Sequence, residues 1–225
     1  MTNSHGRHEL KHYINYADVI ELRSRLPFVA MPDENSIGGE GYRVKSLYFD
    51  NYNDKVLKEK IDGINDREKF RLRLYNDYTS FIRLEKKSKR NGICFKESAI
   101  LLEEECRRLL DGDFAVLKEK GNPLCLELYA KMTYQQLRPK TIVDYRREAY
   151  VHPVGNVRIT IDYDIRTSQN IDDFLKQKLI PIPILGGYIL EVKYDHFLPE
   201  IIRGIVSLSS RRSGSFSKYA ATRIV

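Results

Sequence analysis

Tryptophan is absent from this chain of 225 residues, and cysteine and long apolar runs are scarce. The last two shortages each exclude a class of protein. The three cysteines, Cys94, Cys106 and Cys125, are an odd number without close spacing, so they predict neither a disulfide framework nor a zinc site. No run approaches the roughly 18 apolar residues of a membrane-spanning helix, and no secretory leader precedes the cysteines. The chain also lacks a Ser–His–Asp set and a catalytic Cys–His pair. We therefore expect reduced cysteines and a cytoplasmic location.

Positive charge is what the chain has in excess. The formal net charge is +7 and the isoelectric point is about 9.2. This excess favours an anionic partner, which could be nucleic acid, an anionic membrane or a phosphate-rich small molecule. The length suits one large domain or two small ones, and it is sufficient to bury a sizeable core.

The strongest local pattern lies at residues 67–74. The cations Arg67, Lys69, Arg71 and Arg73 alternate there with Glu68, Phe70, Leu72 and Leu74. An alternation with a period of two predicts a strand with two unlike faces. Neighbours on one face lie roughly 7 Å apart, so four like charges in a row repel one another. A solvated face usually mixes charge signs, whereas this row favours a surface that holds a polyanion.

Other predicted strands repeat this division into an apolar face and a face that combines Arg or Lys with one acid. The predicted strands lie near residues 7–14, 42–50, 81–87, 141–151, 157–162 and 188–194. Predicted helices at 16–26, 101–136 and 199–208 can cover the apolar face of the sheet. If the sheet closes into a barrel, the charged faces line its interior.

The interior of such a barrel would hold more cations than acids. Its cations would be Arg7, Lys11, Arg67, Lys69, Arg71, Arg73, Arg83, Lys87, Arg158 and Lys193, and its acids would be Glu9, Asp50, Glu85, Asp162 and Glu191. Arginine forks and lysine charges fit a chain of phosphates. The carboxylates suit either salt bridges or a hard divalent cation bound to the same phosphates. Glu191 is the best candidate for a metal ligand, because it leads a strand whose other face is apolar.

An ordered set of motifs extends over nearly the whole chain. The motifs are Arg-His-Glu-Leu-Lys at 7–11, Ser-Leu-Tyr-Phe-Asp at 46–50, Arg-Glu-Lys-Phe-Arg-Leu-Arg at 67–73, Leu-Glu-Lys-Lys at 84–87, Tyr-Arg-Arg-Glu-Ala-Tyr at 145–150, Arg-Ile-Thr-Ile-Asp at 158–162, Leu-Glu-Val-Lys at 190–193 and Ser-Lys-Tyr at 217–219. Together they resemble the VTC-type polyphosphate polymerase domain, a branch of the CYTH or triphosphate tunnel metalloenzyme superfamily. The resemblance implies a single domain over 1–225 of the α+β class. Its fold would be an antiparallel eight-stranded β tunnel, closed as a barrel, with helices packed on the outside.

The resemblance also implies an activity and a set of site residues. The activity is metal-dependent transfer of the terminal phosphoryl group of ATP to a growing polyphosphate chain inside the tunnel. The implied catalytic residues are Lys11, Arg71, Arg73, Lys87, Arg158 and Lys193. The implied substrate-binding residues are Arg7, Lys69, Lys96, Arg147 and Lys218, where Arg147 is chosen by motif position and Lys218 would close one tunnel end. The implied ligands of Mn²⁺ or Mg²⁺ are Glu191, Glu9 and Glu85.

The first strand departs from the superfamily pattern Glu-x-Glu-x-Lys, because Arg7 stands in place of its first acid. This change removes one possible metal ligand and favours the polymerase branch over simple triphosphatases. Two alternatives stay open. One is a tunnel triphosphatase that hydrolyses tripolyphosphate or a nucleoside triphosphate, and the other is a non-catalytic module that binds polyphosphate or RNA.

The partners that we expect are ATP and polyphosphate, and nucleic acid is not expected. A membrane protein that exports the product is a further candidate partner, and it would place the chain at the inner face of a membrane.

Overall fold

A computed structural model of the chain describes residues 6–35, 41–177, 182–185, 187–208 and 216–223. The strands are β1 (His8–Ile14), β2 (Met31–Pro32), β3 (Tyr42–Asp50), β4 (Arg67–Tyr75), β5 (Tyr78–Arg90), β6 (Ile93–Leu101), β7 (Arg138–His152), β8 (Val157–Ser168), β9 (Ile182–Leu185) and β10 (Tyr188–Tyr194). The α-helices are α1 (Tyr16–Arg25), α2 (Lys55–Ile61), α3 (Glu103–Leu110), α4 (Ala115–Glu119), α5 (Pro123–Tyr134), α6 (Glu200–Val206) and α7 (Lys218–Ala221).

Eight of the strands follow one another across a single antiparallel sheet. Their order is β1-β10-β8-β7-β3-β4-β5-β6, while β2 pairs with β7 and β9 pairs with β8. The α+β class and the antiparallel path of eight strands therefore agree with the expectation from the sequence. None of the described helices is long and apolar enough to cross a bilayer.

The prediction of a closed barrel is wrong, because the curled sheet is open. Among the described residues, its end strands, β1 and β6, meet at one isolated bridge between Arg7, which precedes β1, and Cys94, whose backbone N–H groups donate to each other's carbonyls at 3.0 and 3.2 Å. A closed barrel would need a ladder of such bonds along both strands. Near this seam, Lys87 of β5 and Glu9 of β1 form an ion pair at 2.5 Å. Side-chain periodicity reveals the two faces of a strand, but it does not show which strands pair at the ends.

Helices cover the apolar outer face of the sheet in two places. Leu72 of β4 is fully buried in a cluster with Leu128 of α5. Ile159 of β8 is fully buried in a second cluster with Leu22 of α1. Each fully buried side chain of this kind contributes about 1.5–3 kcal/mol. Because the strands bury this face under helices, their other face is turned to the inside of the curl.

Asp50, which the sequence placed in the interior of the barrel, instead anchors the chain after β3. Its buried carboxylate accepts hydrogen bonds from the backbone N–H groups of Asn51, Val56 and Leu57 at 2.8, 2.9 and 3.2 Å. The Tyr219 hydroxyl donates a further bond to it at 2.5 Å. One carboxylate therefore ties β3, the first turn of α2 and α7 together.

Replacement of Asp50 by alanine should lower the free energy of unfolding by about 3 kcal/mol or more, because several donors lose their acceptor at once. Denaturant unfolding of the purified protein measures this effect. The matched control is Asp66→Ala, since Asp66 is exposed and should leave the unfolding midpoint unchanged. Equal midpoints for the two variants would show that Asp50 is not an anchor.

Candidate functional site

Two adjoining cavities lie inside the curl of the sheet. The larger has a volume of about 590 Å³ and the smaller of about 300 Å³. Both are lined by Glu9, Lys11, Lys69, Lys87, Cys94 and Ser217. We call the two cavities together the tunnel, because these shared walls make them parts of one passage.

Strand β4 runs along the tunnel. Arg67 lines the smaller cavity, Lys69 lines both cavities, and Arg71, Arg73 and Tyr75 line the larger one. Eight residue steps separate the first of these positions from the last, which corresponds to about 27 Å at ~3.4 Å per residue. The alternation seen in the sequence therefore becomes a row of side chains along one wall.

Every site residue predicted from the sequence lines the larger cavity. These residues are Arg7, Glu9, Lys11, Lys69, Arg71, Arg73, Glu85, Lys87, Lys96, Arg147, Arg158, Glu191, Lys193 and Lys218. The structure thus brings together residues that are far apart in the chain. Their individual roles stay predictions.

Arg71 and Arg73 are held by hydrogen bonds on the tunnel wall. Arg71 donates to the Glu85 carboxylate at 2.8 Å and to the Tyr48 hydroxyl at 3.0 Å. Arg73 donates to the Tyr145 hydroxyl at 3.2 Å. Burial would raise the pKa of Glu85, but the two arginines outweigh it and hold that pKa far below its usual range. Glu85 is therefore an ionised counter-ion of this arginine pair.

Two cations of the larger cavity have no acidic partner among the residues that the structure describes. Lys69 lies over the ring of Tyr48, with its ammonium 5.5 Å from the ring centroid. Arg83 stands directly across the β4–β5 ladder from Arg73. This uncompensated positive charge favours a bound anion.

Glu9 and Glu191 form the acidic part of the site, surrounded by lysines. Lys11 lies 2.5 Å from Glu9 and 3.4 Å from Glu191, and Lys193 lies 2.5 Å from Glu191. Burial would raise the pKa of each acid, and the negative charge of Glu191 would also raise the pKa of Glu9. The lysines outweigh both effects and hold the pKa of each carboxyl far below its usual range. Both groups are therefore ionised at neutral pH.

The divalent cation implied by the resemblance fits Glu9 and Glu191 better than the predicted set of three acids. No group of three or more potential metal-ligating side chains occurs in the described ranges, so Glu85 is not clustered with the other two acids. Thr160 lies directly opposite Glu191 in the β8–β10 ladder, and its buried hydroxyl has no hydrogen-bond partner among the described residues. Mg²⁺ commonly takes only one or two carboxylates and completes its shell with phosphates and water. Two carboxylates beside a free hydroxyl suit such an ion.

Arg147, rather than its neighbour Arg146, faces the tunnel, as the choice by motif position expected. Its guanidinium forms a two-pronged pair with Asp162 at 2.6 and 2.8 Å. Lys218 of α7 contacts the same carboxylate. This contact brings the last helix to the tunnel wall.

Three other predicted cations have carboxylate partners in this structure. The pairs are Arg7 with Asp195, Arg158 with Asp33, and Lys96 with Glu85. Strand periodicity does not identify Asp33 or Asp195 as partners, because both lie outside the predicted strands.

Two lysines that line the smaller cavity are not among the site residues predicted from the sequence. Lys60 comes from α2, so the alternation of strand residues could not reveal it. Lys89 is in phase with Lys87 on β5, and extending that alternation by two residues would have found it. Neither has an acidic partner in the described segments. Burial lowers the pKa of Lys60, and the nearby Arg67 lowers it further.

The hydroxyls of Tyr42, Tyr48 and Tyr145 are also absent from the site predicted from the sequence. Each tyrosine nevertheless shares a strand face with a charged or polar residue, which is Ser46 on β3 and Arg147 on β7. Tyr42 accepts a hydrogen bond from Arg158 at 3.0 Å. These phenols orient arginines of the tunnel wall.

Similarity to known proteins is found in a family sequence model and in several solved structures. A model of the VTC domain matches residues 6–224. A search of curated proteins finds no sequence match. A putative adenylate cyclase from Bacillus halodurans is 14% identical, with 89% of this chain and 87% of that chain covered and a TM-score of 0.48.

Two archaeal structures are similar over nearly their full length. The PH1012 protein from Pyrococcus horikoshii OT3 is 13% identical, with 94% of this chain and 96% of that chain covered and a TM-score of 0.51. A conserved hypothetical protein from Pyrococcus furiosus is 10% identical, with 96% of this chain and 99% of that chain covered and a TM-score of 0.50. At these identities the likeness shows a shared fold. The sequence match over almost the whole length is more specific, and it shows that this chain belongs to the VTC domain family.

Proposed function

We propose that the chain is a polyphosphate polymerase, which transfers the terminal phosphoryl group of ATP to a growing polyphosphate chain in the tunnel. The observation that carries this proposal is the row of β4 cations, Arg67, Lys69, Arg71 and Arg73, along both cavities. Membership of the VTC family supports phosphoryl chemistry, since folds of this kind are typical of phosphoryl-transfer enzymes.

The length of the row supports a polymer over a single nucleotide. The wall from Arg67 to Tyr75 extends for about 27 Å, beyond what the three phosphates of one nucleotide need. Lys60 and Lys89 add further cations in the smaller cavity. A hydrolase of triphosphates would have no use for this additional basic wall.

Phosphoryl transfer requires positioning and charge neutralisation rather than covalent help from the protein. The bond between the terminal phosphorus of ATP and its bridging oxygen breaks, ADP leaves, and a new bond forms to an oxygen of the acceptor chain. That oxygen is already ionised at neutral pH, so no strong general base is needed. Arg71 and Arg73 would bind the transferred group and stabilise the charge that spreads over its oxygens.

Glu9 and Glu191 would hold Mn²⁺ or Mg²⁺, whose contribution is to neutralise phosphate charge. Lys11 and Lys193 lie beside these carboxylates and would bind phosphate oxygens of the same chain.

Incubation of the purified protein with ATP and Mn²⁺, followed by gel sizing of the products, tests this function. We expect long phosphate chains that require both ATP and the metal. Release of orthophosphate alone would identify a hydrolase instead. Salt-sensitive binding of polyphosphate without turnover would identify a binding module.

A further inference from the structure

We propose that the Tyr48 hydroxyl is ionised in the free tunnel, where it offsets the charge of Lys69 and Arg71, and that it takes up a proton when a phosphate chain binds. The role of Tyr48 rests on the proposed function in one respect, namely that a phosphate chain enters the tunnel. In the free tunnel, the negative charge of this one tyrosine would take the place of the negative charge of the substrate.

The cations around Tyr48 need such an anion. Lys69 lies at the wall common to both cavities and has no acidic partner among the described residues. The charges nearest to it include Lys87 on β5 and Lys11 on β1. Both of these lysines pair with Glu9, and Lys11 also pairs with Glu191. An ammonium buried among cations is unfavourable unless a negative charge lies close to it.

Tyr48 is placed to supply that charge. It is buried on β3, its hydroxyl accepts a hydrogen bond from Arg71 at 3.0 Å, and its ring lies beneath the Lys69 ammonium. Tyr219 of α7 packs on it with ring centroids 5.3 Å apart. The Tyr219 hydroxyl donates to Asp50, so it is occupied elsewhere.

Ionisable and charged groups from several elements face this pair. They are Arg71 and Arg73 on β4, Lys87 on β5, Lys11 on β1, Tyr145 on β7 and Tyr219 on α7, and Glu85 of β5 pairs with Arg71. Burial alone would raise the pKa of Tyr48, but Arg71, Lys69 and Arg73 outweigh it and lower that pKa to about 7. Burial lowers the pKa of Lys69 to about 7 as well, although Tyr48 opposes this shift. The two groups therefore titrate together near neutrality.

A bound phosphate chain would raise the pKa of both Tyr48 and Lys69. Its negative charges would lie against the same cations, so they would stabilise the Lys69 ammonium and destabilise a phenolate beside it. The Tyr48 oxygen then gains one proton from solvent and becomes a neutral hydroxyl. No bond to phosphorus is made or broken in this step.

Near-ultraviolet absorbance detects tyrosinate directly and tests the proposal with tripolyphosphate as the probe. In slightly alkaline buffer, above the pKa of Tyr48, the wild-type protein should show a tyrosinate band that Tyr48→Phe lacks. Saturation with tripolyphosphate should abolish this band. The matched control is Tyr145→Phe, which removes another buried tunnel hydroxyl hydrogen-bonded to an arginine. Burial raises the pKa of Tyr145 to about 12, so this variant should keep the tyrosinate band of the wild-type protein.

Calorimetry under the same conditions establishes whether tripolyphosphate binds. Equal absorbance of wild type and Tyr48→Phe would overturn the inference, as would a band that survives saturation. The inference also fails if Tyr145→Phe loses the band. If calorimetry detects no binding of tripolyphosphate, the proposed function itself is contradicted. If tripolyphosphate binds but the absorbance results differ from those expected, only the role of Tyr48 is contradicted.

Discussion

ATP-dependent polymer formation should fall at least ~100-fold when either Arg71 or Arg73 is replaced by alanine. Both guanidinium groups line the larger cavity and are held in place, Arg71 by Glu85 and Tyr48, and Arg73 by Tyr145. Preoriented charges of this kind stabilise a transferring phosphoryl group without reorganising during the reaction. Initial rates of polymer formation at saturating ATP and Mn²⁺ measure the loss.

Two further variants separate lost chemistry from lost folding. Arg107→Ala removes an exposed arginine of α3 that pairs with Glu103, and it should leave the rate unchanged. Arg73→Lys keeps the charge but loses the planar fork, so its rate should lie between those of the wild type and Arg73→Ala. A folded Arg71→Ala or Arg73→Ala protein with a rate within a few-fold of the wild type would remove these arginines from the mechanism.

Replacement of Glu191 by glutamine should raise the Mn²⁺ concentration for half-maximal activity at least about tenfold. The substitution keeps the size of the side chain but removes the charge that a hard cation requires. It also leaves Lys11 with only Glu9 as its acidic partner, and Lys193 with no acidic partner in the described residues. Activity measured over a range of Mn²⁺ concentrations shows the shift.

The control for this prediction is Glu85→Gln. Glu85 is also buried, but its ion-pair partners are Arg71, Arg73 and Lys96 rather than the lysines around Glu9 and Glu191. Loss of the Glu85 carboxylate should leave the Mn²⁺ dependence unchanged, and it should raise the ATP concentration for half-maximal activity. An unchanged Mn²⁺ dependence in Glu191→Gln, or a larger shift in Glu85→Gln, would assign the metal to other residues.

The tunnel wall could be predicted from the sequence because alternation along a strand is a local property. Phe70, Leu72 and Leu74 are buried under helices, so Lys69, Arg71 and Arg73 must face the other way. The same argument applies to the other strands that contribute cations, and it explains why the predicted site residues on strands lie in one cavity. Lys218 of α7 could be chosen only by its motif.

The features that the sequence did not reveal depend on contacts between distant segments. The open seam between β1 and β6 is decided by the pairing of strand ends, and Asp50 looks like a wall residue until α2 and α7 fold against it. The grouping of Glu85 with arginines rather than with Glu9 depends on the order of strands across the sheet. The α2 residue Lys60 reaches the tunnel from a helix, where strand periodicity has no meaning.

Diffraction from crystals soaked with tripolyphosphate tests most directly whether the cationic row is a phosphate site. We predict electron density for a phosphate chain in the larger cavity, with oxygens against Arg71 and Arg73 and one end directed toward Lys69. Phosphate density confined to the outer surface, with these three side chains unoccupied at saturating ligand, would contradict the account.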